Sequence, residues 1–211
     1  MSSASMTTTS YAILGLLAIR PWSTYELTQQ MDRSLGRMWP RAQSKLYEEP
    51  KKLVAQGLAK ASTEKVGRRS RTVYAITAKG RRALANWLTE PGAGPALEFE
   101  QLLKIFFSEN GTKGDALMTL AATKEWAMAR SSESLEIGKR YEAGEGPFPE
   151  REPQLELTAR FLTDFYALVG EWAQWAAGMV ERWPDDGRRP QPDPSVTEET
   201  VRRAARAARR S

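Results

Sequence analysis

Cationic and hydrogen-bonding side chains recur on one side of a helix that the sequence predicts between about residues 41 and 56. Successive helical residues lie about 100° apart, and this spacing gathers on one face the apolar residues Leu46, Pro50, Leu53 and Val54. The opposite face and its borders carry side chains suited to phosphates and base edges: Arg41, Ser44, Lys45, Tyr47, Glu48, Lys51 and Lys52. Arginine and lysine suit guanine edges, and serine bonds to several bases. Such a helix can dock in a major groove, although a solvated surface is the commoner explanation of this pattern taken alone.

A second cationic group follows at Arg68, Arg69 and Arg71, within a polar stretch that separates two segments rich in strand-forming residues. Two short strands around a glycine-containing turn predict a hairpin with the arginines at its tip. There, like charges repel one another and contribute nothing to the fold. A phosphate backbone or a minor groove is the partner that we expect. The helix and the hairpin together, in this order, are typical of a winged helix-turn-helix that binds double-stranded DNA.

The sequence lacks both cysteine and histidine. Disulfides, thiolate nucleophiles and zinc knuckles are therefore excluded, and the commonest general base and metal ligand are missing. The carboxylates are scattered; Glu98 and Glu100, for example, lie two residues apart and do not face each other on a helix. No glycine spacing matches a phosphate-binding loop. We expect neither an enzyme nor a cofactor or metal site.

Helix signals surround the two cationic groups. A flexible leader (1–9) precedes a first helix from Ser10, its expected N-cap, to Ala18. A second helix starts at Ser23 and Thr24 and ends near residue 35, and Gly57 ends the third. After the hairpin, Thr77 caps a fourth helix. The prediction is a winged helix-turn-helix domain over residues 10–90, in a fold that is mainly α with one small β-hairpin.

The breaker cluster at residues 91–95 marks a domain boundary, since the net charge also changes sign there. Residues 1–90 hold 15 basic and 6 acidic side chains, a net +9, whereas residues 91–183 hold 9 and 15, a net −6. A basic front half is either a polyanion-binding module or merely a solvated surface. We expect a linker over 91–96, a helical dimerisation and effector domain over 97–183, and a Pro-rich, basic tail over 184–211. The tail is predicted to be disordered, with a short basic helix over 197–210 as the alternative.

Heptad spacing in the last long predicted helix indicates a coiled-coil-like seam. The residues that we expect in a dimer interface are Leu155, Leu162, Tyr166, Val169, Ala173, Ala176 and Val180. A second apolar set widens this stripe: Phe161, Phe165, Leu168, Trp172, Trp175 and Met179. One neighbouring helix could not cover so wide a stripe, so a second subunit is the natural partner.

Tryptophans in the long helices allow two interpretations. Trp126, Trp172 and Trp175 are candidates for an aromatic effector pocket that a small molecule would occupy. The alternative, which we favour, is that they are large anchors of a core or an interface.

Five blocks of the sequence, with the spacing between them, resemble the PadR family of bacterial transcriptional regulators: YAILGLLA (11–18), STYEL (23–27), MWP (38–40), SKLYEEPKKLVAQGL (44–58) and GRRSRTVYAITAKGRRALANWL (67–88). The layout of the long helices is similar to the larger subgroup with a virulence-activator-type C-terminal domain. The resemblance implies a homodimer that binds an inverted-repeat operator and usually represses. In some members it also implies release of the DNA by a small, often aromatic, ligand.

The resemblance also assigns roles to single residues. Tyr47 matches a tyrosine common in the family's recognition helix, which implies contact with the DNA backbone, and Arg68, Arg69 and Arg71 match its basic wing. Two positions depart from the pattern, Thr24 in place of glycine and Pro50 in place of leucine. A proline inside a helix removes a backbone hydrogen bond and typically kinks the helix.

A second hypothesis is a winged-helix adaptor whose basic face binds a protein partner. No apolar run approaches the roughly 20 residues that span a bilayer, so we expect no membrane association and a cytoplasmic location.

Overall fold

The computed structural model describes residues 6–39, 43–66, 69–185 and 190–209, and for residues 43–45, 66 and 69 it describes the backbone only. Predicted contacts of Arg41 and Arg68 therefore lie outside the described residues. The chain divides into two compact units, residues 1–95 and 96–211.

Four helices build the first unit: α1 (Thr8–Ile19), α2 (Thr24–Gln30), α3 (Gln43–Ala55) and α4 (Ala78–Trp87). A π-helical turn, Met31–Leu35, follows α2 directly. The first helix begins earlier than predicted, because Thr7 and not Ser10 is its N-cap. Thr7 and Ser10 cap each other reciprocally, with the Ser10 N–H donating to the Thr7 hydroxyl at 3.2 Å and the Thr7 N–H donating to the Ser10 hydroxyl at 3.0 Å.

A three-stranded antiparallel sheet completes this unit, with strands β1 (Trp22–Ser23), β2 (Ala59–Val66) and β3 (Arg69–Ile76) in the order β1-β3-β2. The hairpin β2-β3 confirms the sequence prediction. The strand β1 was not predicted, because two residues next to a helix cap show no alternating pattern. Trp22 pairs with Tyr74, and its indole N–H donates to the Leu16 carbonyl at 2.7 Å. This hydrogen bond ties the sheet to α1.

The core of the first unit consists of apolar side chains from the helices and the sheet, among them Ile13, Leu14, Leu17, Leu27, Met31, Leu53, Val73 and Tyr74. Gly57 follows the end of α3, as predicted, and adopts a φ of 70° that residues with side chains rarely allow. Thr77 caps α4 as predicted: its hydroxyl accepts from the Gly80 N–H at 3.1 Å and lies 2.8 Å from the Gly57 carbonyl, to which it donates. The end of α3, the hairpin and the start of α4 are therefore fixed to one another.

Helices alone form the regular structure described in the second unit: α5 (Glu100–Phe106), α6 (Lys113–Glu142), α7 (Glu152–Glu181) and α8 (Pro194–Ala208), with 3-10 turns at Ser108–Asn110 and Pro149–Arg151. Thr112 and Asp115 cap α6 reciprocally. The two 30-residue helices pack side by side in opposite directions, since Ala116 and Leu120 near the start of α6 share a cluster with Ala176 and Val180 near the end of α7. Within the described residues, no helix is both long and apolar enough to cross a membrane.

The heptad seam of α7 is the core of this helix pair. Five of the residues that we expected between subunits are buried within the single chain: Tyr166, Val169, Ala173, Ala176 and Val180. Leu155 and Leu162 are half-buried. Part of the second apolar set is exposed instead, with Phe161 at 63%, Leu168 at 62% and Trp175 at 52%. The seam residues therefore pack against α6, and the neighbouring face of α7 is exposed to solvent.

Candidate nucleic-acid interface

The helix α3 presents the two faces that the sequence predicts. Leu46, Pro50 and Leu53 are buried, whereas Tyr47 is 41% exposed and Lys51 and Lys52 are exposed on the outer surface. The backbone of Ser44 and Lys45 belongs to the same helix, but their side chains are outside the described residues. The structure therefore brings Tyr47 and the two lysines to one solvent-accessible surface.

One residue of α3 was missed. Glu49 is buried, and its carboxylate accepts a hydrogen bond from the hydroxyl of Ser10, itself 1% exposed. The other carboxylate oxygen lies 3.3 Å from the Lys52 ammonium nitrogen. The signal was available, because Glu49 stands three residues after Leu46 and four before Leu53, and therefore on the buried side. A buried carboxylate needs such partners, and this one fastens the centre of α3 to the capped start of α1.

The outer lysines are paired locally. The Lys51 ammonium donates to the Glu48 carboxylate at 2.9 Å. This hydrogen bond is the main cause that lowers the pKa of Glu48 and raises the pKa of Lys51. Both side chains are exposed, and exposed ion pairs contribute little to stability. Lys51 is therefore charged at neutral pH and can exchange its carboxylate partner for a phosphate.

Pro50 lies inside α3, which continues from Gln43 to Ala55 without interruption. Its ring is among the most completely buried side chains of the chain. Burial of the ring contributes favourable free energy, which offsets part of the cost of the backbone hydrogen bond that proline removes. Pro50 therefore belongs to the buried face of α3, together with Leu46 and Leu53.

The hairpin carries the second cationic group. Its register pairs Val66 with Arg69 and Glu64 with Arg71. The expectation that the wing arginines contribute nothing to the fold is wrong for Arg71, because its guanidinium lies 3.0 Å from the Glu64 carboxylate across the hairpin. Such cross-strand pairs stabilise a hairpin modestly. Arg71 therefore has a structural partner as well as an exposed surface.

Glu26 connects the hairpin to the start of α2. Its carboxylate accepts from the Ser23 N–H at 2.8 Å and lies 3.7 Å from the Arg71 guanidinium and 3.8 Å from that of Arg20. Hydrogen bonds from Ser23, with the nearby charges of Arg71 and Arg20, lower the pKa of Glu26. Arg20 also stacks on the Trp22 ring at 3.5 Å. The helix α2 and the hairpin are thus joined by a charged network.

The three candidate effector tryptophans lie in different surroundings. Trp126 meets Tyr166 edge-on at 5.6 Å, Trp172 meets Phe99 at 6.1 Å, and Trp175 is half exposed. A groove of about 370 Å³ between α6 and α7 is lined by residues that include none of these tryptophans: Lys124, Ala127, Met128, Ser131, Ser132, Tyr166, Ala167, Gly170, Glu171 and Gln174. Trp126, which is 40% exposed, and Trp172 each contact an aromatic neighbour, and their role as core or interface anchors stays a prediction.

Residues 13–86 match the Transcriptional regulator PadR-like family. The chain is 33% identical over 99 residues to the negative transcriptional regulator PadR of Bacillus subtilis, an alignment that covers 46% of this chain and 54% of that protein. The alignment thus spans about half the length of this curated relative.

Solved structures are similar over more of the chain. The Bacillus subtilis PadR in complex with operator DNA superposes with a TM-score of 0.72 at 23% identity, over 82% of this chain and 99% of that one. The same protein in complex with p-coumaric acid gives 0.64 at 22%, over 84% and 99%. The virulence activator AphA of Vibrio cholerae gives 0.57 at 26% identity, over 82% and 95%. At such identities, these PadR structures establish a shared fold that includes the long C-terminal helices.

Proposed function

We propose that this chain, whose residues 13–86 match the PadR-like family of transcriptional regulators, is a member of that family, binds an inverted-repeat operator as a homodimer and represses the genes beside it. The family is described as transcriptional regulators, and we propose the same role, rather than an enzymatic one, for this chain. Because the target that we propose is chromosomal DNA, the proposed place of action is the cytoplasm of a bacterium.

One observation carries the proposal: the exposed side of α3 and the basic hairpin belong to the same compact unit. Helix α3 offers Tyr47, Lys51 and Lys52 on its outer face, and its first turn contains Ser44 and Lys45. A helix with this surface suits a major groove, and a basic hairpin suits the neighbouring backbone or minor groove. We assign DNA contacts to these side chains of α3, to Arg41 before the helix, and to the hairpin arginines Arg68, Arg69 and Arg71.

The open face of α7 supports a homodimer. Phe161, Leu168 and Trp175 recur every seven residues and are all exposed, and apolar stripes of this kind commonly mark an interface. A homodimer carries two recognition helices, and an inverted repeat offers two half-sites, about one DNA turn or roughly 34–36 Å apart in helix-turn-helix dimers. Symmetry of the protein would then match symmetry of the operator.

A small effector that releases the DNA belongs to the same proposal. The related Bacillus protein has been solved with p-coumaric acid, and the second unit here offers the groove between α6 and α7 described above. Addition of phenolic acids to the preformed complex of chain and DNA, followed by anisotropy, tests release directly.

The test of the DNA contacts begins with a duplex that the full-length chain enriches from a randomised library, hereafter the selected duplex. The variant R68A/R69A/R71A should bind the selected duplex at least tenfold more weakly, because three cations that pair with phosphates are removed. Glu64→Gln is the matched control: it removes the partner of Arg71 without removing a cation, so binding should persist.

A winged-helix adaptor predicts the opposite pattern. In that case the triple variant binds every duplex as the wild type does and loses a protein partner in a pull-down from lysate. Circular dichroism of each variant confirms that the fold is intact before the result is interpreted.

A further inference from the structure

Helix α8 separates its side chains into two faces. At about 100° per residue, four arginines fall within about 120° of arc: Arg202, Arg203, Arg206 and Arg209. The opposite side carries small residues: Thr197, Thr200, Val201, Ala204, Ala207 and Ala208. The helix is also well started, with Asp193 as its N-cap and Pro194 in its first turn. The structure describes residues 194–208 as a helix, which corresponds to the alternative of a short basic helix over 197–210; disorder of the remaining tail stays a prediction.

The arginine face is open to solvent. Every residue from Thr200 to Arg209 is exposed, and none of them is acidic. Glu198 and Glu199 are the acidic neighbours on the preceding turn, and the Glu199 carboxylate lies 3.4 Å from Nε of Arg202 and 3.0 Å from Nε of Arg203. Two carboxylates cannot neutralise four cations.

Folding does not account for this arrangement. Arg206 stands four residues after Arg202 and three before Arg209, and like charges at these spacings destabilise a helix. An arginine near a helix C-terminus interacts favourably with the helix dipole, but a single arginine would suffice for this stabilisation. The charge is therefore placed for a partner outside the helix.

We propose that the arginine face of α8 binds the phosphate backbone of double-stranded DNA and adds sequence-independent affinity to that of the winged helix. The chemistry fits, since arginine forks pair with phosphate oxygens and need no base sequence. A membrane surface fits less well, because interfacial helices bury Trp, Phe or Leu and the other face of α8 offers only Ala, Val and Thr. This inference rests on the proposed function, in which the same chain binds an operator.

The experiment compares full-length wild type with R202Q/R203Q/R206Q/R209Q, using anisotropy at several salt concentrations on the selected duplex and on a scrambled duplex. The glutamine variant should bind both duplexes more weakly by the same factor, about tenfold or more at low salt. Its plot of log affinity against log salt should be shallower by about 0.9 for each phosphate that the variant no longer neutralises. Glutamine is a good helix former, and circular dichroism checks that α8 persists.

Two matched variants sharpen the result. R202K/R203K/R206K/R209K preserves the charge and should retain the salt slope, and T197A/T200A on the opposite face should behave as the wild type.

The proposal is overturned if the glutamine variant keeps wild-type affinity and slope on both duplexes. It is also overturned if only the preference for the selected duplex changes, or if the arginines prove necessary for binding anionic vesicles and not DNA. Failure of the proposed function would look different, because the wild type would then bind the two duplexes with equal affinity. Even in that case, the difference in salt slope between the wild type and the glutamine variant decides whether α8 binds DNA.

Discussion

Single residues hold the candidate recognition helix in place, and Glu49 is the clearest of them. Its buried carboxylate receives the Ser10 hydroxyl from α1 and lies close to Lys52 on its own helix. The outward cations were predictable because a 3.6-residue period separates the two faces of α3. The hydrogen bond between Glu49 and Ser10 was not predictable, because Ser10 is 39 residues away and no local pattern connects the two residues.

Replacing Ser10 with alanine should destabilise the fold by about 1–3 kcal/mol, because the buried Glu49 carboxylate loses a hydrogen bond and the Thr7 N–H loses its capping acceptor. Denaturant unfolding of the two proteins measures this difference. Ser62→Ala, an exposed serine of β2, should change the free energy of unfolding by less than about 0.5 kcal/mol. Equal effects of the two substitutions would contradict the anchoring role of Ser10.

Glu26 should make stability depend on acidic pH. Its folded pKa is lowered, chiefly by the hydrogen bonds of Ser23, so its contribution is present above the unfolded pKa of about 4.3 and is lost as the pH falls through the lower folded value. Glu26→Ala should cost about 0.5–2 kcal/mol at pH 7, the range of helix caps, and less at pH 3. Urea unfolding at pH 7 and pH 3 measures the destabilisation caused by Glu26→Ala at each pH. A destabilisation that is not smaller at pH 3 would contradict a stabilising role of the ionised Glu26 carboxylate.

At the scale of elements, the approach of α4 to the hairpin depends on a glycine. A Cβ added at Gly80 would stand 2.1 Å from the Leu58 carbonyl oxygen, which is backbone and cannot move aside alone. Gly80→Ala should therefore destabilise the first unit by more than about 2 kcal/mol, as overpacking does.

The matched control is Gly138→Ala in α6, where an added Cβ meets nothing within 4 Å. This change should stabilise by up to about 1 kcal/mol, since alanine is the better helix former. Thermal unfolding of both variants gives the comparison, and a tolerated Gly80→Ala would contradict the close approach.

Prediction of the elements from sequence succeeded where periodicity and caps agree. Thr77, Gly57 and the strand-forming segments around the glycine-containing turn each mark an element that the structure contains. The heptads of α7 correctly indicated a buried seam, but a period does not identify the partner, and α6 of the same chain fills that place. The two-residue strand β1 was not predicted from the sequence, because it is defined by its pairing with β3, which is a tertiary contact.

For the whole molecule, the exposed stripe of α7 predicts self-association. The variant F161S/L168S should be monomeric at concentrations where the wild type is dimeric, with helix content unchanged, because both side chains are exposed within one chain. Sedimentation equilibrium measures the mass. Thr163→Ala, on the opposite side of the same helix, should leave the dimer intact; a dimer that survives F161S/L168S would place the interface elsewhere.

The central claim is that the first unit reads DNA sequence, and salt-titrated anisotropy of the wild-type chain tests it most directly. We predict that the selected duplex binds at least ~10³ times more tightly than its scrambled counterpart at physiological salt, with a steep loss of affinity as salt rises. Failure to enrich any duplex from the randomised library, together with equally weak binding to unrelated sequences, would contradict the claim.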